Sequence, residues 1–232
     1  MIVISLGGSI LVPDEADTEL IIAYRTLLRE YTAGGDARAI VVVGGGGPAR
    51  RYQAAYRAVM ERSEEQLDAS EAQDWIGIAA TRLNAELLRH SLGSLCHDPV
   101  VYDPTGSFSF SGSILVGAGW KPGFSTDYDA VLLAERFGAK TVINLSNTSQ
   151  VYTADPKTDP SATPLTSVSW HEFLPLVGDT WKPGSNLPFD PVATAKAAEL
   201  GLQVIAAHGR EIENTRAILR GEAFFGTTIG PH

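Results

Sequence analysis

Apolar residues fall along this chain in two alternating rhythms. Short runs rich in β-branched residues, at 2–6, 39–43, 99–102, 114–116, 141–145 and 203–206, predict strands. Between them apolar positions recur every three or four residues, the spacing of one helix face. In 17–31 these are Leu20, Tyr24, Leu27, Leu28 and Tyr31, and Gly34-Gly35 stops the helix. The same spacing predicts helices at 48–60, 74–92, 127–137, 192–200 and 212–219, with Pro48 tolerated in a first turn. A closing run, Gly226-Thr227-Thr228-Ile229, predicts an edge strand. Strands alternating with helices make this an α/β chain. Without an internal repeat or a clean linker, residues 1–232 read as a single domain.

Polar stretches interrupt the rhythm. Residues 61–73 predict a mobile excursion, 105–112 an insert without regular structure, and 153–164, rich in Pro and Asp, a loop.

Composition narrows the class. At 232 residues and 44% hydrophobic, the chain can bury a substantial core. A net charge of −9 argues against a broad nucleic-acid surface, because basic residues appear only in short spots such as Arg50-Arg51. Any nucleotide it binds is a small one. No apolar run approaches the roughly 20 residues that span a bilayer. The opening Met1-Ile2-Val3-Ile4-Ser5 already reads as a strand and not as a basic leader, which predicts a cytoplasmic protein. Cys96 is the single cysteine, so an internal disulfide and a cysteine zinc site are both out of reach, as in a reducing compartment. The five histidines show no metal-cage spacing.

Two glycine-rich turns carry the chemistry. Ile4-Ser5-Leu6-Gly7-Gly8-Ser9 and Val42-Val43-Gly44-Gly45-Gly46-Gly47 each run out of an apolar strand toward a helix. Such a turn leaves backbone N–H groups unpaired and lets an anion approach without a Cβ in the way. Two of them can grip two phosphates, as a kinase joining a phosphate-bearing donor to a phosphate-bearing acceptor requires.

Further stretches stand in a telling order: Ala49-Arg50-Arg51-Tyr52, Asp74-Trp75-Ile76-Gly77-Ile78 leading to Thr81-Arg82-Leu83-Asn84-Ala85, Pro122-Gly123-Phe124-Ser125-Thr126-Asp127, and Val151-Tyr152-Thr153-Ala154-Asp155-Pro156-Lys157. With the glycine turns they make the chain resemble the amino acid kinase fold family, and within it the archaeal-type uridylate (UMP) kinases, over nearly its whole length. The resemblance implies an open, mostly parallel twisted sheet with helices on both faces. The amino-terminal half would hold the acceptor and the carboxy-terminal half ATP, with Mg²⁺ as cofactor and a homo-oligomer, a hexamer, as the assembly.

It also implies roles. Gly7, Gly8 and Ser9 would cradle the transferred phosphoryl, and Gly44, Gly45 and Arg50 the acceptor phosphate, the last through a bidentate guanidinium. Asp74 matches a carboxylate that accepts hydrogen bonds from the acceptor's ribose. Thr126 and Asp127, placed just before a helix, would touch phosphate and orient cations or the metal, and Asp190 would be either a helix cap or a site residue. On the donor side stand Asn147, Tyr152, Asp155 and Lys157.

The chain departs from the family in several places. Ser5 stands where many kinases of this fold carry a lysine, leaving Lys121, Lys157, Arg50 or Mg²⁺ to supply the positive charge. Ser149-Gln150 replaces an Asp-Gly pair, losing a carboxylate and easy access to positive φ. The segment 181–188 departs from the family's serine-rich version, with three prolines in the window 183–191. The alternatives are a phosphotransferase of this fold with another acceptor, such as isopentenyl phosphate or an acylated amino acid, and a non-catalytic nucleotide- or oxyanion-binding protein like the molybdenum-storage proteins.

Overall fold

In the computed structural model, residues 1–63, 69–156, 158–178 and 187–231 are described. The strands are β1 (Ile2–Leu6), β2 (Ala39–Val43), β3 (Ile114–Gly117), β4 (Thr141–Ser146), β5 (Val151–Tyr152), β6 (Pro164–Leu165), β7 (Ser167–Ser169), β8 (Gln203–His208) and β9 (Thr227–Gly230). The helices are α1 (Gly8–Leu11), α2 (Thr18–Thr32), α3 (Gly46–Met60), α4 (Ala69–Leu92), α5 (Thr126–Phe137), α6 (Trp170–Val177), α7 (Pro191–Glu199) and α8 (Ile212–Arg220).

Seven strands form one sheet in the order β3-β2-β1-β4-β8-β9-β7. From β3 through β8 every pairing is parallel, and the β8–β9 pairing is antiparallel. Because β1, β2 and β4 run the same way, their carboxyl ends lie along one edge. The chain lays down β2 and β3 on one side of β1 and then crosses to β4 on the other. This reversal opens a crevice at the ends of β1 and β4, the place where open α/β sheets take ligands.

Alternation along the central strands divides the core. Ile4, Leu6, Val41, Val43, Ile143 and Leu145 pack with α2, α4 and α8, while Val3, Ile40, Val42, Val142 and Val204 pack with α5, α6 and α7. Strands covered on both faces explain why their sequences are continuously apolar. Fully buried side chains such as Leu88 and Phe173 contribute about 1.5–3 kcal/mol each.

Several expectations change. Residues 99–102 do not form a strand: only a single bridge links Val101 to Gly117, and Pro99 has no N–H to extend it. The run at 226–229 is not an edge, since β9 lies between β8 and β7. Helix α4 begins at Ala69 and not at 74, so it takes up part of the expected excursion, of which 64–68 lie outside the described residues. The insert 105–112 is irregular but anchored: the buried Asp98 carboxylate accepts from Ser109 Oγ, Ser111 N and Oγ, and Gly112 N. The loop at 153–164 gives up its last residue to β6.

Candidate active site

The two glycine turns are interlocked. A Cβ on Gly8 would lie 2.2 Å from Gly46 N and 2.4 Å from Gly44 O, and one on Gly44 would lie 2.5 Å from Gly8 N. Gly46 also has φ +62, and a Cβ on Gly47 would sit 2.0 Å from Pro13 O. Main chain therefore packs on main chain, and the glycines are required by that contact as well as by any anion. Gly44 N donates to Leu6 O at 3.0 Å and Gly7 N to Leu145 O at 2.8 Å, tying the turns to the ends of β1 and β4. Asn84, only 3% exposed, donates Nδ2 to Gly44 O at 2.9 Å and to Gly45 O at 3.1 Å. With both carbonyls held, the amides that follow open α3, where the first N–H groups have no intrahelical acceptor and favour an anion.

Arg50, one turn along α3, reaches across the clasp. Its guanidinium donates to Ser9 Oγ at 2.8 Å and to Pro13 O at 3.2 Å. Ser9 and Arg50, assigned to different phosphates, thus touch. Asp74 lies in the second turn of α4, too far along for the N-terminal dipole to explain it. Its Oδ2 accepts from Gly123 N at 2.9 Å and so holds the loop that leads into α5. In that loop Gly119 N donates to Thr81 Oγ1, Trp120 O accepts from Arg82, and Lys121 Nζ lies 3.8 Å from the centre of the Trp120 ring.

Thr126 and Asp127 do not precede α5; they form its first turn, and Ser125 is the cap, accepting from Tyr128 N. Asp127 instead joins three elements. Ser5 Oγ donates to its Oδ1 at 2.6 Å and Asp190 N to its Oδ2 at 3.3 Å. Ser5 is paired in register with Asn144 of β4, whose Nδ2 donates to Pro188 O at 2.6 Å. Asp190 both caps α7, accepting from Ala193 N at 2.7 Å, and keeps a buried Oδ2 with no hydrogen-bond partner.

Burial pushes these carboxyls up. Asp127 is half-buried as a residue, but its carboxylate lies among protein atoms, and that burial raises its pKa against the Ser5 and Asp190 hydrogen bonds. Asp190 is pushed to about 6 by burial, opposed by its Ala193 bond and helped by the charge of Asp127. Asp129, 1% exposed, is pushed to about 8 by burial, although Trp120 N donates to it. Its other oxygen has no partner.

On the donor side, Asn147 is exposed just beyond β4, Tyr152 is half-buried on β5, and Asp155 is exposed in the following loop. Lys157 and the segment 179–186 lie outside the described residues. The Ser149-Gln150 turn needs no left-handed residue, because no non-glycine among the described residues has positive φ. Gln150 is buried instead. Among the described residues, no group of three or more His, Cys, Asp or Glu side chains is placed to hold a metal ion. No helix among them is long and apolar enough to cross a membrane.

The sequence model of the Amino acid kinase family matches residues 1–207. This chain belongs to the amino acid kinase family. A curated relative, the uridylate kinase of Methanospirillum hungatei, is 38% identical over 232 residues, covering 98% of this chain and 94% of that protein. The uridylate kinase of Pyrococcus abyssi is 32% identical, with 99% of each chain covered. A crystal structure of uridylate kinase from Archaeoglobus fulgidus is similar with a TM-score of 0.80 at 31% identity, covering 99% of each chain.

In this amino acid kinase the structure brings Gly7, Gly8, Ser9, Gly44, Gly45 and Arg50 into one clasp, and joins Asp127 to Asp190. It does not place Tyr152 or Asp155 in direct contact with that clasp among the described hydrogen bonds. Sequence reasoning missed Asn84, Thr81 and Arg82, although it quoted their stretch. The signal was Gly77, Thr81 and Asn84 at helical spacing, a small and polar face on a helix that otherwise packs against apolar strands.

Proposed function

We propose that this amino acid kinase is a UMP kinase, transferring the γ-phosphoryl of ATP to the phosphate of UMP to give UDP and ADP, a step of pyrimidine nucleotide synthesis. The observation that carries this reading is the interlocked pair of glycine turns at the β1–β4 crevice, since it sets two anion cradles in contact. The uridylate kinases with which the chain shares nearly its full length support the same acceptor.

Phosphoryl transfer asks the protein for alignment and charge neutralisation more than for covalent chemistry. Gly7, Gly8 and Ser9 hold the transferred group, and Gly44, Gly45, Arg50 and Thr126 hold the acceptor phosphate. The Ser9–Arg50 bond then shares one guanidinium between the two. Asp74 accepts from the ribose hydroxyls; Asn147, Tyr152, Asp155 and Lys157 take ATP. Asp127 and Asp190 border the reacting phosphates, where Asp127 orients cations.

Bound Mg²⁺ would neutralise phosphate charge. Such an ion needs only one or two carboxylates beside its phosphate oxygens, and Asp127 with the unpartnered Asp190 oxygen fits that donor set. The chain would work in the cytoplasm as a homo-oligomer, a hexamer by resemblance. The packed helices α3 and α4 leave Tyr52, Val59, Leu83 and Leu87 exposed for subunit contact, and light scattering tests it.

The deciding assay is ADP release from ATP and Mg²⁺ with UMP, CMP, dUMP, AMP and GMP in turn. Activity with UMP, lost in Asp74→Asn, is the expected result. Absence of turnover with UMP overturns the reading.

A further inference from the structure

The hairpin β5–β6 carries Tyr152 and leads to Asp155, yet it forms a two-stranded sheet of its own. A pairing of two residues per strand cannot hold itself in place. Side chains from elsewhere do so. Thr227 of β9, fully buried, accepts from Val151 N at 2.8 Å and donates to Leu165 O. Val151 and Leu165 are register partners, so one hydroxyl spans both strands of the hairpin. Gln150, 6% exposed, donates Nε2 to Gly226 O at 3.2 Å. Gly226 is wedged against β8, where a Cβ would lie 2.7 Å from Ala206 O, so the accepting carbonyl is fixed. Thr228 N donates to Thr166 O at 2.9 Å and continues the seam.

We propose that Thr227 and Gln150 are positioning residues for the donor nucleotide. They fix the height and register of the hairpin that presents Tyr152 and Asp155, and so set ATP affinity without touching ATP. This rests on reading that hairpin as the ATP side of the site. Removing the Thr227 hydroxyl strips a partner from a buried N–H and a half-buried carbonyl, and the chain relieves both by letting the hairpin move toward water. The glycine clasp and Asp74 make none of these bonds, so the acceptor side is left as it was.

The test compares Thr227→Val, Thr227→Ser and Gln150→Met with the wild-type chain, by equilibrium dialysis of ATP and by steady-state kinetics. Thr227→Val is expected to weaken ATP binding and raise KM for ATP roughly tenfold, with KM for UMP and kcat within about twofold. Thr227→Ser keeps the hydroxyl and restores ATP affinity, and Gln150→Met weakens it about threefold. Unchanged ATP affinity in both Thr227→Val and Gln150→Met, or KM values for ATP and UMP rising together, overturns the proposal. If Thr227→Val does not fold, Gln150→Met decides by the same criteria. A wild-type chain that binds ATP without phosphorylating UMP would sink the UMP kinase reading alone, because dialysis still reports on the hairpin. A wild-type chain that binds no ATP overturns the inference itself.

Discussion

The glycine clasp and the β5–β6 hairpin are built by opposite means. In the clasp, main chain touches main chain, and any side chain on Gly8, Gly44 or Gly46 collides with backbone atoms that cannot rotate away. The hairpin is set by side chains, Thr227 and Gln150, reaching main chain. Backbone contact allows one residue type, whereas a side-chain bond can be made from several positions by several residues. The first kind of construction is fixed in sequence; the second can be rewritten while the geometry is kept.

The harshest test of this contrast is Gly8→Ala. Its methyl would meet Gly46 N at 2.2 Å, and overlap with backbone is among the mechanisms that cost about 4 kcal/mol or more. Urea denaturation should show a loss of that order, or the variant should fail to accumulate as folded protein. Wild-type stability in Gly8→Ala would show that the clasp yields.

Asp127→Asn separates the chemistry from both holds. The charge at the meeting point of β1, α5 and α7 is removed while its volume stays, so kcat should fall on the order of 10²–10³-fold, with KM for both nucleotides nearly unchanged. A variant that loses nucleotide affinity and keeps kcat would place Asp127 in binding.

Asp129 bears on the body beneath both regions. Its folded pKa of about 8 lies above the ordinary carboxylate value because burial disfavours the charge. Between the unfolded value, near 4, and the folded one, the native state holds a proton that the unfolded state has released. Stability from this group is therefore greatest below the window and declines as pH rises through it. Melting temperatures from pH 5 to pH 8 should fall more steeply for the wild type than for Asp129→Asn; parallel slopes would mean that Asp129 ionises normally.

The mildest change is the control. Gly34 follows α2 with nothing within 4 Å of its Cβ position and no positive φ. Gly34→Ala should be neutral or stabilise by up to about 1 kcal/mol through the unfolded chain, a shift read by thermal melting. Destabilisation comparable to Gly8→Ala would end the distinction between clasp glycines and loop glycines.

The same distinction governs what was legible in the sequence. The doubly covered strands β1, β2, β4 and β8 were plain because continuous apolar β-branched runs have few other uses. The glycine turns were plain because only glycine fits. Other features were hidden. The strand at β7 and the hairpin β5–β6 are two or three residues long, below the length at which period 2 can be seen. Asn84 was hidden on a long helix, since the small and polar face it shares with Gly77 and Thr81 does not say that its amide bonds two carbonyls of a turn 40 residues away. Ser5 looked like a deficit, a missing lysine, until its hydroxyl was found on Asp127. Gln150 looked like a damaged turn until its amide was found on Gly226. In both cases a partner distant in sequence decided the meaning.

That distance also sets an order of assembly. The clasp joins positions 6 and 44 through Gly44 N and Leu6 O, so the contacts between its two turns exist once the first two strands and the start of α3 have been synthesised, and Asn84 and Leu145 add theirs later. The Gln150–Gly226 bond spans 76 residues and waits for β9. Closing the longer loop costs more chain entropy, and a nascent chain emerges amino end first. A ribosome paused before β9 would carry a chain with the clasp contacts already available and the hairpin unanchored.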